Sequence, residues 1–220
     1  MPASRLLPIQ EDILALLAGM EPPWTLTGGG ALVGFHLGHR QTRDLDLFWH
    51  GAIALPAPEA VEERLRAAGY DVAVLRRAPT FVQLRVSDGG DAMVVDLVAD
   101  PVPVVEPPRE ARVGGAAILV DTPHEILVNK LCALLSRSAL RDLVDVLALL
   151  DFGGDLARAC RDAVGKDGGF SPATLGWVLH GMPLAALARV SGLGEAETAA
   201  VESQRESLAS ALAALARPPE

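Results

Sequence analysis

Basic charge, aromatic rings, cysteine and long apolar runs are all scarce in this 220-residue sequence. Lys and Arg number 19 against 28 Asp and Glu, a formal net charge of −9. That balance argues against broad, sequence-independent nucleic-acid binding, which needs a basic surface. It leaves room for a local basic patch. Aromatics make up 4% of the chain, so the core must come from Ala, Leu and Val. Such a composition favours helices around a small sheet over an all-β fold. The two cysteines, Cys132 and Cys160, sit in apolar helical patterns, which points to buried thiols rather than a bridge or a metal site. The five histidines are scattered, with no ligand spacing such as H-x-x-x-H. No apolar run approaches a membrane span. Residues 1–10, MPASRLLPIQ, carry one Arg and no apolar core segment, so no signal peptide and a cytoplasmic location are expected.

The most informative stretch is Leu26 to Trp49, LTGGGALVGFHLGHRQTRDLDLFW. A short apolar strand, Trp24 to Thr27, leads into Gly28, Gly29 and Gly30. Ala31 to Leu37 reads as a short helix, then a polar loop carries His39, Arg40 and Arg43. A second strand begins at Asp44 with Asp-Leu-Asp. Glycines between a strand and a helix leave backbone N–H groups open to a phosphate, and the helix start adds partial positive charge. Side chains at i and i+2 of a strand share a face, so Asp44 and Asp46 present two carboxylates together, with Leu45 and Leu47 turned away. Adjacent carboxylates repel unless a cation lies between them, and oxygen-only ligation suits Mg²⁺. A phosphate cradle beside paired carboxylates is what phosphoryl or nucleotidyl transfer needs. A dinucleotide fingerprint fits less well, because Gly34 comes one residue late for G-x-G-x-x-G.

Elsewhere, Pro8 to Met20 reads as an amphipathic helix stopped by Glu21-Pro22-Pro23. A helix over Glu59–Ala68 closes at Gly69. Tyr70–Leu75 and Thr80–Val86 alternate as strands, and SDGGD at 87–91 turns the second into a hairpin with Ala92–Ala99. That last strand holds Asp96 among Val94, Val95, Leu97 and Val98. A carboxylate there is costly unless paired or metal-bound. Pro101–Pro108 is extended, and Ala116–Val120 reads as the last strand. Thr122-Pro123-His124-Glu125 has the form of a helix start, with His124 and Glu125 assigned to capping. Lys130, Arg137, Arg141 and Asp145 lie in one sector if the helix is continuous; alternatively Ser136 or Ser138 breaks it. Beyond Asp155 the chain is helical and rich in Ala and Leu, with no catalytic pattern.

In order along the chain, TGGGAL, HRQTRDLDLF, VVDLV and K…R…RDLVD resemble the nucleotidyltransferases of the AbiEii/AbiGii toxin family, a branch of the polymerase-β-like nucleotidyltransferases. The resemblance spans about Thr25 to Asp151. It implies a small α/β (α+β) domain with a mixed sheet over residues 1–121, then a helical domain over 122–220. It implies Mg²⁺ (or Mn²⁺) held by Asp44, Asp46 and Asp96, with Asp96 in the third acidic position. Lys130 would face the nucleotide phosphates and Asp145 would help hold the site. Gly28, Gly29, Gly30, Arg40 and Arg141 complete the expected nucleotide contacts. The implied reaction moves an NMP from an NTP to a tRNA, a protein or a small molecule, in a toxin–antitoxin or phage-defence setting with a separately encoded antitoxin. A catalytically impaired nucleotide-binding module and a drug-modifying enzyme are the alternatives on the same scaffold. Relatives carry Ser or Thr where this chain has Gly30, which implies one phosphate or metal contact fewer.

Overall fold

The computed structural model describes residues 5–217; residues 1–4 of the segment read for a signal peptide lie outside them. The chain forms two compact units with the boundary between Pro123 and His124.

The first unit is built on a seven-stranded mixed sheet. Its elements are α1 (Pro8–Leu17), β1 (Thr25–Thr27), α2 (Gly28–Ala31) running into a π-helical turn at Leu32–His36, β2 (Asp44–His50), α3 (Pro58–Ala67), β3 (Asp71–Ala78), β4 (Phe81–Ser87), β5 (Ala92–Asp100), β6 (Arg109–Val113) and β7 (Ala116–Val120). The strand order is β3-β4-β5-β2-β1-β7-β6. β2 runs parallel to β5 and antiparallel to β1, and β1 runs parallel to β7. One face of the central strands is fully apolar: Leu45, Leu47, Leu84, Val95 and Leu97 are all at 0% exposure. Arg77 projects on this face, opposite Val82, and pairs with Glu59 and Glu62, which places α3 there. α1 packs on α3, β6 and β7. The other face stays half open and carries Asp44, Asp46, Phe48 and His50 on β2 and Asp96 and Asp100 on β5.

Departures from the sequence expectation at α1 and β6 have local reasons. α1 stops at Leu17 rather than Met20, because the Trp24 indole donates to the Leu17 carbonyl at 2.9 Å and Gly19 takes φ +71°. β6 was not expected. It pairs with β7 across Gly114 and Gly115, both at positive φ, so the last two strands of the unit are a hairpin.

The second unit is helical: α4 (Pro123–Arg137), α5 (Leu140–Asp151), α6 (Leu156–Lys166), α7 (Pro172–Gly181), α8 (Leu184–Ser191) and α9 (Glu195–Leu215). The break between α4 and α5 falls at Ser138, φ +50°, so the interrupted-helix reading holds. Asp155 and Ser171 cap α6 and α7 by accepting the N–H groups of Arg158 and Thr174. His124 and Glu125, expected to cap α4, both reach α6. His124 Nε2 lies 2.7 Å from Asp162 Oδ2, and the buried Glu125 carboxylate binds Lys166 of α6. Both cysteines are thiols, and burial pushes each up to about 11. Among the described residues no helix is long and apolar enough to cross a membrane.

Candidate active site

β1 ends at Thr27 and the chain turns at Gly28, φ +61°. The helix starts at Gly28 itself, not at Ala31, so the glycines form its first turn. Each glycine answers to a different neighbour. A β-carbon at Gly28 would overlap Asp46 Oδ2, so this position needs glycine for both its φ and its contact. At Gly29 a β-carbon would stand 2.7 Å from Arg40 Nη2, which places that guanidinium over the elbow backbone. Gly30 looks the other way, toward Leu45 Cδ2 at 3.1 Å and Leu26 Cδ1 at 3.3 Å. A Ser or Thr side chain at position 30 would therefore enter an apolar contact. The π turn that follows packs Gly34 on Leu6 and brings His36 Nε2 within 2.8 Å of the Asp121 carbonyl. A carbonyl only accepts, so His36 donates through Nε2. Burial pushes its pKa down, and the imidazole is neutral.

The sheet register collects the carboxylates. Asp44 and Asp46 share the half-open face of β2 while Leu45 and Leu47 are buried on the other. Asp46 lies opposite Asp96 on β5 and opposite Thr27 on β1; Asp96 lies opposite Gln83 on β4. Thr27, Asp46, Asp96 and Gln83 thus form one row across four strands, and Arg76 extends it onto β3. Neighbouring strands are about 4.8 Å apart, so the Asp46 and Asp96 side chains are immediate neighbours. Gln83 Nε2 donates to Asp96 Oδ1 at 2.9 Å. Gln83 belongs to no motif, yet the SDGGD turn already sets this register: with Ser87 opposite Ala92, Gln83 falls opposite Asp96. Three carboxylates on one face make an all-oxygen donor set, and that chemistry fits Mg²⁺. As the side chains stand, no three His, Cys, Asp or Glu among the described residues close into a metal-ligand cluster. The fit rests on the donor type and the shared face.

In the second unit, Lys130 sits within an ion cluster. Its Nζ is 2.8 Å from Asp142 Oδ1 and 2.8 Å from Asp145 Oδ2, and both aspartates are fully buried. Arg137 donates to Asp142 from Nε at 2.6 Å and from Nη2 at 2.9 Å. Burial pushes the Asp142 carboxyl up, but the Arg137 and Lys130 contacts outweigh it and hold the group below its usual value. One continuous helix would set Lys130, Arg137, Arg141 and Asp145 side by side in one sector. Instead Asp145 is buried and reaches back across the Ser138 break to Lys130.

A second cluster lies further along β2. His50 Nε2 is 3.1 Å from Asp121 Oδ1, and its Nδ1 is 3.8 Å from Asp100 Oδ2. Burial acts to lower the His50 pKa, but the neighbouring carboxylates of Asp100 and Asp121 prevail and raise it to about 9. His50 is therefore charged at neutral pH and offsets Asp121, which has no exposed surface. A folded-state pKa of about 9 lies above the ordinary histidine value of 6.5, so the charged form stabilises the fold. The His50 contribution is complete below pH ~6.5 and is lost as pH rises through about 9, an effect of roughly 3 kcal/mol. Urea unfolding midpoints measured from pH 6 to 10 are expected to fall across that window. His50→Asn is expected to flatten the fall; an unchanged slope would remove His50 as its source.

The chain matches, over residues 12–212, the family described as nucleotidyl transferase AbiEii toxin, type IV toxin–antitoxin system. No curated protein matches its sequence. Among solved structures it is similar to MenT4, a nucleotidyltransferase toxin from Mycobacterium tuberculosis H37Rv, with 19% identity and a TM-score of 0.55 over 94% of this chain and 91% of that one. It is also similar to JHP933 from Helicobacter pylori, with 19% identity and a TM-score of 0.52 over 94% and 91%. At this identity the likeness to the two structures is one of fold.

Proposed function

Because the chain belongs to the AbiEii nucleotidyl transferase toxin family, we propose that it is a divalent-cation-dependent toxin of the cytoplasm that transfers an NMP from an NTP to an acceptor hydroxyl. The observation that carries this is the alignment of Asp46 and Asp96 in one row, with Asp44 on the same face and the Gly28 elbow against Asp46. Asp44, Asp46 and Asp96 would hold Mg²⁺ or Mn²⁺, which when bound neutralises triphosphate charge and favours displacement at the α-phosphate. The backbone N–H groups of Gly28 to Gly30 and the helix they open would meet the β- and γ-phosphates, with Arg40 over Gly29 supplying positive charge. The acceptor oxygen attacks the α-phosphorus, its bond to the β-phosphate oxygen breaks, and pyrophosphate leaves. Asp96, which stands on the side of Asp46 away from the elbow, either binds a second cation or takes the acceptor hydroxyl's proton. Lys130 and Arg141 carry the phosphate-neutralising role implied by their match to the family motif, and Asp145 holds Lys130 in place. The family's toxin–antitoxin description supports a separately encoded antitoxin.

The test is incubation with each α-labelled NTP, Mg²⁺ and a cell extract, followed by separation of the products. Label is expected in one class, whether tRNA, protein or a small molecule, with release of pyrophosphate. Nucleotide binding without transfer of label to any fraction would overturn the reading.

A further inference from the structure

On the half-open sheet face each central carboxylate is fixed from its outer side. Asp46 is held against the elbow, where only glycine fits at position 28. On the far side of the pair, Asp96 receives a side-chain amide. We infer that Gln83 is a positioning residue for Asp96. It sets the orientation in which that carboxylate serves the cation and the acceptor, and this rests on the reading of the row as a cation site.

Three observations carry the inference. The register places Gln83 directly opposite Asp96, so the two side chains rise from the same face of adjacent strands. The contact is 2.9 Å, and a carboxylate accepts only, so the amide nitrogen must be the group presented. Gln83 is also an exception on its own strand. Val82, Leu84 and Val86 fill the apolar side, while Phe81, Gln83 and Arg85 face the carboxylates. Phe81 has no side-chain hydrogen-bond donor. Arg85 lies opposite Val94 rather than Asp96. A neutral donor suits the position better than a cation would. It removes rotational freedom from Asp96 without supplying a positive charge that would compete with the ion. Partners of this kind commonly change metal affinity or activity by about 10- to 100-fold when lost.

The experiment compares Mn²⁺ binding, followed by electron paramagnetic resonance of the unbound ion, in the full chain and in Gln83→Met, Gln83→Asn, Asp46→Asn and Asp96→Asn. Met keeps the length of Gln and removes the donor; Asn keeps the amide and withdraws it by one methylene. Both are expected to weaken Mn²⁺ binding by about 10-fold or more. Both are also expected to lower kcat by a similar factor, with the KM for NTP within about twofold of the original. Circular dichroism melts check that the half-buried site tolerates each change. If the two aspartate variants lose Mn²⁺ but the Gln83 variants bind it as the parent does, Gln83 has no positioning role and the cation site stands. If the aspartate variants bind Mn²⁺ unchanged, the cation reading fails and the role of Gln83 fails with it.

Discussion

Asp46→Asn is expected to lower nucleotidyl transfer by about two to three orders of magnitude and to leave the fold in place. Asp46 sits at the crossing of the two features that define the site. Its carboxylate fills the space that glycine leaves at position 28, and its strand position faces Asp96. Asn keeps the shape and removes the charge. Its two heavy-atom branches still fit beside Gly28, so the elbow has no reason to move. Loss of one carboxylate also relieves repulsion along a face shared with Asp44 and Asp96, so no fall in the melting temperature beyond a few degrees is expected. Transfer assays and thermal melts on the same preparation separate the outcomes. A variant that melts normally and still transfers would remove Asp46 from the site. A variant that loses transfer because it unfolds would make the carboxylate a structural group.

Much of this site is legible in the residues because a strand with one covered face writes its alternation into the sequence. Leu45 and Leu47 against Asp44 and Asp46, or Val95 and Leu97 against Asp96, can be assigned to opposite faces from period two alone. What periodicity does not supply is which strands are neighbours. Asp46 meets Asp96 because β2 and β5 pair in parallel across an intervening helix and hairpin, and the family resemblance, not the spacing, points there. The His50–Asp121 pair is 71 residues apart in sequence, and neither residue stands out locally. β6 escaped because Arg109, Glu110 and Arg112 resemble an exposed loop; only the Gly114-Gly115 turn marks the hairpin. Helical sectors fail for a related reason. The stripe through Lys130 and Asp145 assumes one continuous axis, and a single left-handed residue at Ser138 folds the two ends of the stripe onto each other.

That fold-back makes Lys130→Met the variant with the largest expected loss of stability, about 3–5 kcal/mol, because it leaves buried carboxylates without their ammonium partner. Asp142 keeps the two bonds from Arg137, while Asp145 loses its contact with the ammonium. Changing Asp145→Asn in the same chain removes the buried charge as well, and it is expected to recover most of the melting temperature. The acid side offers a second readout. Asp142, held below its usual value, contributes stability above pH ~4 that disappears as pH falls through the lowered folded-state value. Without Lys130 that depression is smaller, so acid unfolding should begin at a higher pH. The double variant also isolates the catalytic question, because it restores the fold without the lysine. If Lys130 acts on the triphosphate, the recovered protein still transfers poorly, by about 10²-fold or more. If transfer returns together with the melting temperature, Lys130 serves the helical unit alone, and the phosphate charge must be met by Arg40 at the elbow.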